Sequence, residues 1–327
     1  MKKKFKNKTI LITGGTGSFG KRMLTHLLKN FEFKKIIIFS RDEQKHHRLL
    51  NTLENKQKNK VRFFIGDVRD YERVKLALKN VDFVIHAAAM KHVYLSEYNP
   101  HEVIKTNITG TQNVLNAAIE NKCKKTILLS SDKAVEPINI YGATKLCAEK
   151  IFIAGNNYSG VQDTKFAIVR YGNVIASEGS VIQKFQKEKK IFEVTDKEMT
   201  RFWINFDEAI KFVLMALSNF KGAEIYVPKM KNFKIIDLTK AINPKLKVKI
   251  TGKKPGEKIH ETLITEEESK RIKEFNDYFI IYPEENFKLK YSNLKKEAKK
   301  TGKTFEYKSN QLLIKDLATI KKIVFPK

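Results

Sequence analysis

Cysteine and arginine are scarce in this chain, and nowhere does it hold a long apolar run. The two cysteines, Cys123 and Cys147, have neither C-x-x-C nor Cys/His spacing. That excludes a disulfide framework or a thiolate metal site as the organising feature, no metal is expected, and the thiols suit a reducing compartment. No segment approaches the ~18 apolar residues that crossing a bilayer requires, so no membrane span is expected. Met1-Lys2-Lys3-Lys4 looks like the start of a signal peptide, but the apolar run Thr9 to Thr13 stops at Gly14-Gly15, too short for secretion. A cytoplasmic protein is the expectation. Arginine numbers 9 against 55 lysines in a chain of net charge +28. The lysines are spread along the whole length and lack the guanidinium forks that read bases, so nucleic acid is not the expected partner.

What is present is a βα rhythm. The 327 residues, 42% of them hydrophobic, suffice for one large domain or a large and a small one. Lys8 to Thr13 reads as a strand, Gly14-Gly15-Thr16-Gly17-Ser18-Phe19-Gly20 as a glycine turn, and Met23, Leu24, Leu27 and Leu28 as one face of a helix. In this variant dinucleotide fingerprint Gly14 permits the tight turn, Gly17 lets a pyrophosphate approach the backbone, and Gly20 lets helix and strand pack closely. A second strand, Lys35 to Phe39, ends at Ser40-Arg41-Asp42. A hydroxyl and a guanidinium suit a ribose 2′-phosphate, favouring NADP over NAD, while Arg41 and Asp42 could alternatively just begin the next helix. Further strands end at Asp67-Val68, placed to meet an adenine edge, at His86 before Ala87-Ala88-Ala89, at Ser131, and at Arg170. Such alternation predicts an α/β, Rossmann-type doubly wound parallel sheet with ligands at the carboxyl ends of its strands.

Beyond Tyr171 the segments shorten, which suggests a smaller α/β substrate lobe. We divide the chain as 1–171 (NADP-binding domain, with the return of later segments to it left open), 172–285 (substrate lobe) and 286–327 (lysine-rich tail with a terminal helix). Helices are expected near Asp207–Asn219, Ile235–Ile242 and Thr265–Lys270, strands at Glu224–Val227 and Lys247–Ile250, and a final amphipathic helix through Leu312, Leu313, Leu317, Ile320 and Ile323. The stretch Lys288 to Lys303 reads as a solvated or partly disordered loop.

The densest chemistry is Ser130-Ser131-Asp132-Lys133 followed by Tyr141-Gly142-Ala143-Thr144-Lys145. Tyr141 and Lys145 are four apart on a helical segment and share a face. An ammonium favours the phenolate, so with a nicotinamide nearby the pair can take a proton from a hydroxyl as hydride leaves its carbon.

With the glycine turn, Tyr141-x-x-x-Lys145 resembles the extended short-chain dehydrogenase/reductase superfamily. Ile65-Gly66-Asp67-Val68-Arg69-Asp70, His86 to Val93, Glu97-Tyr98-Asn99-Pro100, Arg170-Tyr171-Gly172-Asn173-Val174, Met199-Thr200-Arg201-Phe202-Trp203 and Pro255 to Glu261 are similar to the configuration-inverting UDP-N-acetylglucosamine 4,6-dehydratases of pseudaminic-acid synthesis, over residues 7 to 283. The resemblance implies a redox-neutral hydro-lyase with tightly bound NADP regenerated each turnover, a UDP-sugar substrate, and a homo-oligomer. It implies catalytic roles for Ser131, Asp132, Lys133, Tyr141 and Lys145. Tyr141, held by Lys145 and Ser131, would deprotonate the sugar 4-hydroxyl; Lys133, if neutral, would take the C5 proton; Asp132, if protonated, would give one to the departing 6-hydroxyl. Its cofactor set is Gly14, Thr16, Gly17, Ser18, Phe19, Gly20, Ser40, Arg41, Asp42, Lys45, Asp67, Val68, Ala87, Ala88, Lys91, Asn107, Tyr141, Lys145 and Val174. Its substrate set is Lys91, Asn173, Val181, Thr195, Arg201, Lys258 and Glu261.

The chain departs from that pattern in places. Ser131 replaces Thr and keeps the hydroxyl; Ala176 and Glu178 stand where Gly and Arg are expected; Lys253-Lys254 replaces Ile-Arg; the tail diverges. The nearest rival is a UDP-sugar 4-epimerase, which needs only Ser131, Tyr141 and Lys145. Retaining dehydratases typically carry Met in place of Tyr141. A non-catalytic NADP-sensing or RNA-binding protein would account for the charge but not for an intact Tyr141/Lys145 pair.

Overall fold

The computed structural model describes residues 1–160, 163–188, 190–284 and 304–325. Strands β1 (Thr9–Thr13), β2 (Lys35–Ser40), β3 (Val61–Ile65), β4 (Phe83–His86), β5 (Lys125–Ser131), β6 (Lys165–Tyr171) and β7 (Ile225–Pro228) run parallel, and β8 (Ile272–Glu274) and β9 (Tyr278–Ile281) add an antiparallel edge. The order across the sheet is β3-β2-β1-β4-β5-β6-β7-β9-β8. Strand order reverses between β1 and β4, and that switch point opens a crevice at the carboxyl ends.

The central strands are apolar without alternation because helices cover both faces. Ile10, Ile12, Ile38 and Ile85 face helix α1 (Ser18–Asn30), through Met23, Leu24 and Leu27, and the helix Phe206–Asn219. Leu11, Ile37, Val84, Leu128 and Ile168 face the opposite layer, which includes Val114 and Leu115 of the helix Gly110–Glu120 and Phe152 of helix α2 (Ile140–Tyr158).

The later segments divide between two places. β7, β8 and β9 join the main sheet. Thr200–Ile204 pairs with Lys231–Lys234 and Asn173–Val174, and Lys247–Ile250 pairs with Ile191–Val194. These form a smaller lobe around Phe185, Phe192, Trp203, Phe233 and Leu238. The chain's last helix is Leu317–Val324, capped by Asp316, and its Ile320 enters this lobe. It is shorter than expected: Leu312 has φ +48°, so Leu312 and Leu313 lie outside it. The Lys288–Lys303 stretch lies outside the described residues. Among the described residues no helix is long and apolar enough to cross a membrane.

Candidate active site

A cavity of about 770 Å³ opens at the switch point. Gly14, Thr16, Gly17, Ser18, Phe19, Ser40, Arg41, Asp42, Lys45, Asp67, Val68, Ala87, Ala88, Lys91, Ser131, Asp132, Lys133, Tyr141, Lys145, Asn173 and Val174 all line it. Gly14 has φ +64°, and a Cβ there would come within 2.9 Å of the Ala88 nitrogen. Gly20 lies behind the wall, where a side chain would run into the Gly15 backbone. Asn107 is also behind it, accepting from Met90 N–H at 2.8 Å and donating to Thr144 Oγ1 at 3.0 Å.

At the distal end Thr16 and Ser40 share a hydrogen bond of 2.8 Å. Asp42 caps the helix Glu43–Asn51, accepting from Lys45 N–H at 3.0 Å, and that bond holds its carboxyl below the usual range. Asp42 thus does begin the next helix, while Arg41 remains on the cavity rim, 3.5 Å from Asp67. Burial disfavours the Asp67 carboxylate, but Arg69, at 2.7 and 2.9 Å, outweighs it and lowers the pKa.

The chemical end is built on β5. Ser131 Oγ accepts from Lys133 N–H at 3.0 Å, turning the chain into the single helical turn Asp132–Ala134. Lys133 Nζ then lies 2.9 Å from Asp132 Oδ1 and 3.4 Å from Glu261 Oε1, and Arg201 Nε lies 3.6 Å from the same Glu261 oxygen. Asp132 Oδ2, Glu261 Oε2, Ser130 Oγ and Asn173 Oδ1 are buried without a hydrogen-bond partner. A Cβ on Gly172 would come within 3.2 Å of Asp132 Oδ2, so glycine keeps that oxygen clear.

Burial raises the Asp132 pKa, with Glu261 adding to the effect and Lys133 opposing it. Lys133 departs from expectation. Burial works against its ammonium, but Asp132 and Glu261 together outweigh burial and push its pKa up, so in this arrangement it holds its proton. Tyr141 is raised by burial; the groups that pull it back are Lys133 and a hydrogen bond with Ser131. Lys145 does not supply that pull here. Its Nζ donates to the Leu129 carbonyl at 2.6 Å, and burial lowers it to about 8 against the opposing charge of Glu149.

The expected substrate residues separate into groups. Lys91 donates to the Glu178 carbonyl at 3.0 Å, and Glu178 N–H donates to Ser18 Oγ at 3.2 Å, so the loop at 176–180 is latched across the glycine turn. Glu178 uses its backbone there, and Ala176, with φ +58°, carries about 1 kcal/mol of strain that Gly would relieve. Arg201, Lys258 and Glu261 are outside the cavity lining, and two of them reach the Lys133 turn: Lys258 donates to the Val135 carbonyl at 2.5 Å and Glu261 meets Lys133. Thr195 is linked to Arg201 through Met199, at 3.3 and 3.2 Å. Val181 begins the helix Val181–Lys187, and Lys253-Lys254 is exposed. Sequence reasoning quoted Ser130 and Tyr171 only within longer motifs and gave them no site role, though both line the cavity, and it gave Thr13 none either. The hydroxyl of Thr13 accepts from Ala87 and Ala88 N–H at 3.1 Å each and fixes the end of β4.

Residues 10–283 match a family model described as "Polysaccharide biosynthesis protein". The chain is 50% identical over 283 residues, 85% of its length and 84% of the relative's, to UDP-N-acetylglucosamine 4,6-dehydratase (inverting) of Campylobacter jejuni subsp. jejuni serotype O:23/36 (strain 81-176). It is 40% identical over 98% of its length, and 96% of the relative's, to UDP-glucose 4-epimerase of Rickettsia bellii (strain OSU 85-389). Among solved structures it is similar to Pen from Bacillus thuringiensis, with TM-score 0.90, 38% identity and 99% of each chain covered.

Proposed function

Because this chain belongs to the polysaccharide biosynthesis protein family, we propose that it removes water from UDP-N-acetylglucosamine as a 4,6-dehydratase that inverts C5. The product would be a UDP-4-keto-6-deoxy-L-sugar of the kind used in nonulosonic-acid glycans. The observation that carries this reading is the pairing of buried Asp132 with the partly buried Lys133 beside Tyr141, an acid and a base that oxidation and reduction at C4 alone do not require.

The glycine turn, with no room for a side chain at Gly14, and the unpartnered Ser130 and Asn173 suit a dinucleotide cofactor. A bound nicotinamide would accept hydride from C4 and return it to C6. NADP is favoured over NAD because Ser40, Arg41 and Lys45 line the rim while the Asp42 carboxylate is occupied as a helix cap. Tyr141 takes the 4-hydroxyl proton in its phenolate form, the form that Lys133 and the hydrogen bond with Ser131 favour against burial. The 4-ketone acidifies C5–H. Lys133 removes that proton as Asp132 protonates the departing 6-hydroxyl, so one water leaves, and the proton that Tyr141 took from the 4-hydroxyl goes to C5 on the opposite face, which returns Tyr141 to its starting state.

An ammonium cannot act as that base, yet no proton has to enter or leave the pair. Moving one proton from Lys133 to Asp132 across their 2.9 Å contact yields an amine base and a carboxylic acid together. Burial raises Asp132, which assists the transfer. After elimination the pair is again carboxylate and ammonium.

Incubation with UDP-N-acetylglucosamine and mass spectrometry of the products is the test. Loss of one water, with an inverted C5 by NMR, is expected. The Rickettsia relative favours a second reading, a UDP-sugar 4-epimerase. That reading predicts an epimer of unchanged mass and activity that survives Lys133→Ala, whereas the dehydratase reading predicts loss of at least about 100-fold.

A further inference from the structure

Glu261 is held by a residue from far along the chain. Ser309 is fully buried, its Oγ accepts the Glu261 N–H at 2.9 Å, and its own N–H donates to the Glu261 carbonyl at 2.9 Å. The same Oγ shares a hydrogen bond of 2.7 Å with Thr200, whose hydroxyl meets His260 Nδ1 at 2.8 Å. Asn232 donates to the Ser309 carbonyl at 3.1 Å. Two residues earlier Tyr307 pairs with the strand Thr262–Ile264 that follows Glu261, and its hydroxyl accepts from Met230 N–H at 2.7 Å. Ser309 and Tyr307 themselves lie beyond residue 283, where the match to the family model ends.

The grip coincides with an energetic anomaly. Glu261 Oε1 faces Lys133 and Arg201, but Oε2 is buried with no partner. A buried carboxylate oxygen without a donor is costly and would be relieved if the backbone could turn, so its position must be over-determined. One residue bonding both the N–H and the carbonyl of Glu261 does that.

Resting on the dehydratase reading, we infer that Ser309 is a positioning residue for the loss of water: by clamping Glu261 it keeps a second carboxylate on Lys133 and sets which member of the Asp132–Lys133 pair holds the proton. The charged and titratable groups facing the cluster are Asp132, Arg201, Tyr141 and Lys258, with His260 behind Thr200. Glu261 favours the protonated form of both Asp132 and Lys133. Withdrawing it moves both limbs of the pH profile for water loss to lower pH. It also removes a charge that opposes the Tyr141 phenolate, so oxidation at C4 is not hindered.

The experiment compares wild type and Ser309→Ala in single turnovers with UDP-N-acetylglucosamine across pH. Water loss is followed by mass and C4 oxidation by the absorbance of reduced nicotinamide. Expected for the variant are water loss slowed about tenfold, a profile moved down by about one pH unit, and C4 oxidation within about twofold of wild type. On a Glu261→Gln background the same substitution should add less than about twofold, because the residue through which it acts has lost its charge. Ser309→Cys keeps the volume and weakens the acceptor; it should shift the profile the same way, and it serves if the alanine variant does not fold. A wild-type profile in the variants, or both steps slowed alike, overturns the positioning role and leaves the function standing. A wild-type product of unchanged mass overturns both.

Discussion

Lys145 shows how one side chain can serve chemistry at the cost of stability. It is 4% exposed, and its ammonium donates to the Leu129 carbonyl, so it is poorly solvated and its pKa falls from 10.5 to about 8. The folded state therefore binds this proton less well than the unfolded chain. Stability rises with pH between about 8 and 10.5, and below 8 the full penalty, about 3 kcal/mol, is present. Lys145→Met removes the charge but leaves the Leu129 carbonyl without its donor. We expect the variant to be more stable than wild type by about 1–2 kcal/mol at pH 7, with the difference shrinking toward pH 10, and turnover reduced at least about 100-fold. Urea titrations at the two pH values check the first part; a stability difference independent of pH would contradict the assignment. Lys133 is only partly buried and carries the opposite shift, because Asp132 and Glu261 lie beside it. The sequence shows Asp132 as a neighbour of Lys133. It could not show Glu261, which is 128 positions away and reaches Lys133 only through the fold.

Among the elements, Arg170 near the end of β6 joins three pieces of the site. Its guanidinium meets Glu149 of α2 at 2.6 and 3.1 Å, Glu268 of the helix Glu266–Ser269 at 2.9 and 3.0 Å, and the Leu263 carbonyl at 2.9 Å. α2 carries Tyr141 and Lys145, and Leu263 lies two residues after Glu261, so this buried junction sets the phenol and the second carboxylate relative to β6. Glu149→Gln leaves part of a buried charge uncompensated and should destabilise the fold by about 3 kcal/mol, read as a lower urea midpoint with an unchanged m-value. Elements with a clear period were legible: Ile235–Ile242 and Lys247–Ile250 lie where the pattern put them. Thr200–Ile204 was missed because all five of its residues are buried, so its strand-forming residues show no alternation. The run from Leu312 looked helical because its apolar spacing suits a helix, yet the cap signal was Asp316, four residues later. The clamp at Ser309 was illegible for a different reason, since it holds Glu261 by its backbone groups, which leave no trace in composition or spacing.

Over the whole molecule the net charge of +28 has little to do with specifying the fold, since exposed lysines such as Lys184 and Lys231 pair locally with Glu193 and Glu208, and such pairs contribute little. Its consequence lies in encounter. A nucleotide diphosphate sugar is an anion, and although Asp42, Asp67, Asp132 and Glu178 also line the cavity, Arg41, Lys45 and Lys91 stand there within the field of a strongly positive molecule, which raises the rate of capture. Because the lysines are spread over the surface, the attraction is long-ranged and falls within a Debye length of roughly 10 Å at 0.1 M salt. Raising monovalent salt from about 20 mM to about 500 mM should therefore lower kcat/KM for UDP-N-acetylglucosamine about tenfold and leave kcat unchanged, since the buried Asp132–Lys133–Glu261 cluster is screened far less. A kcat that falls in parallel would place the salt-sensitive charges inside the reacting cluster, and a flat kcat/KM would mean that the lysine excess plays no part in capturing the substrate.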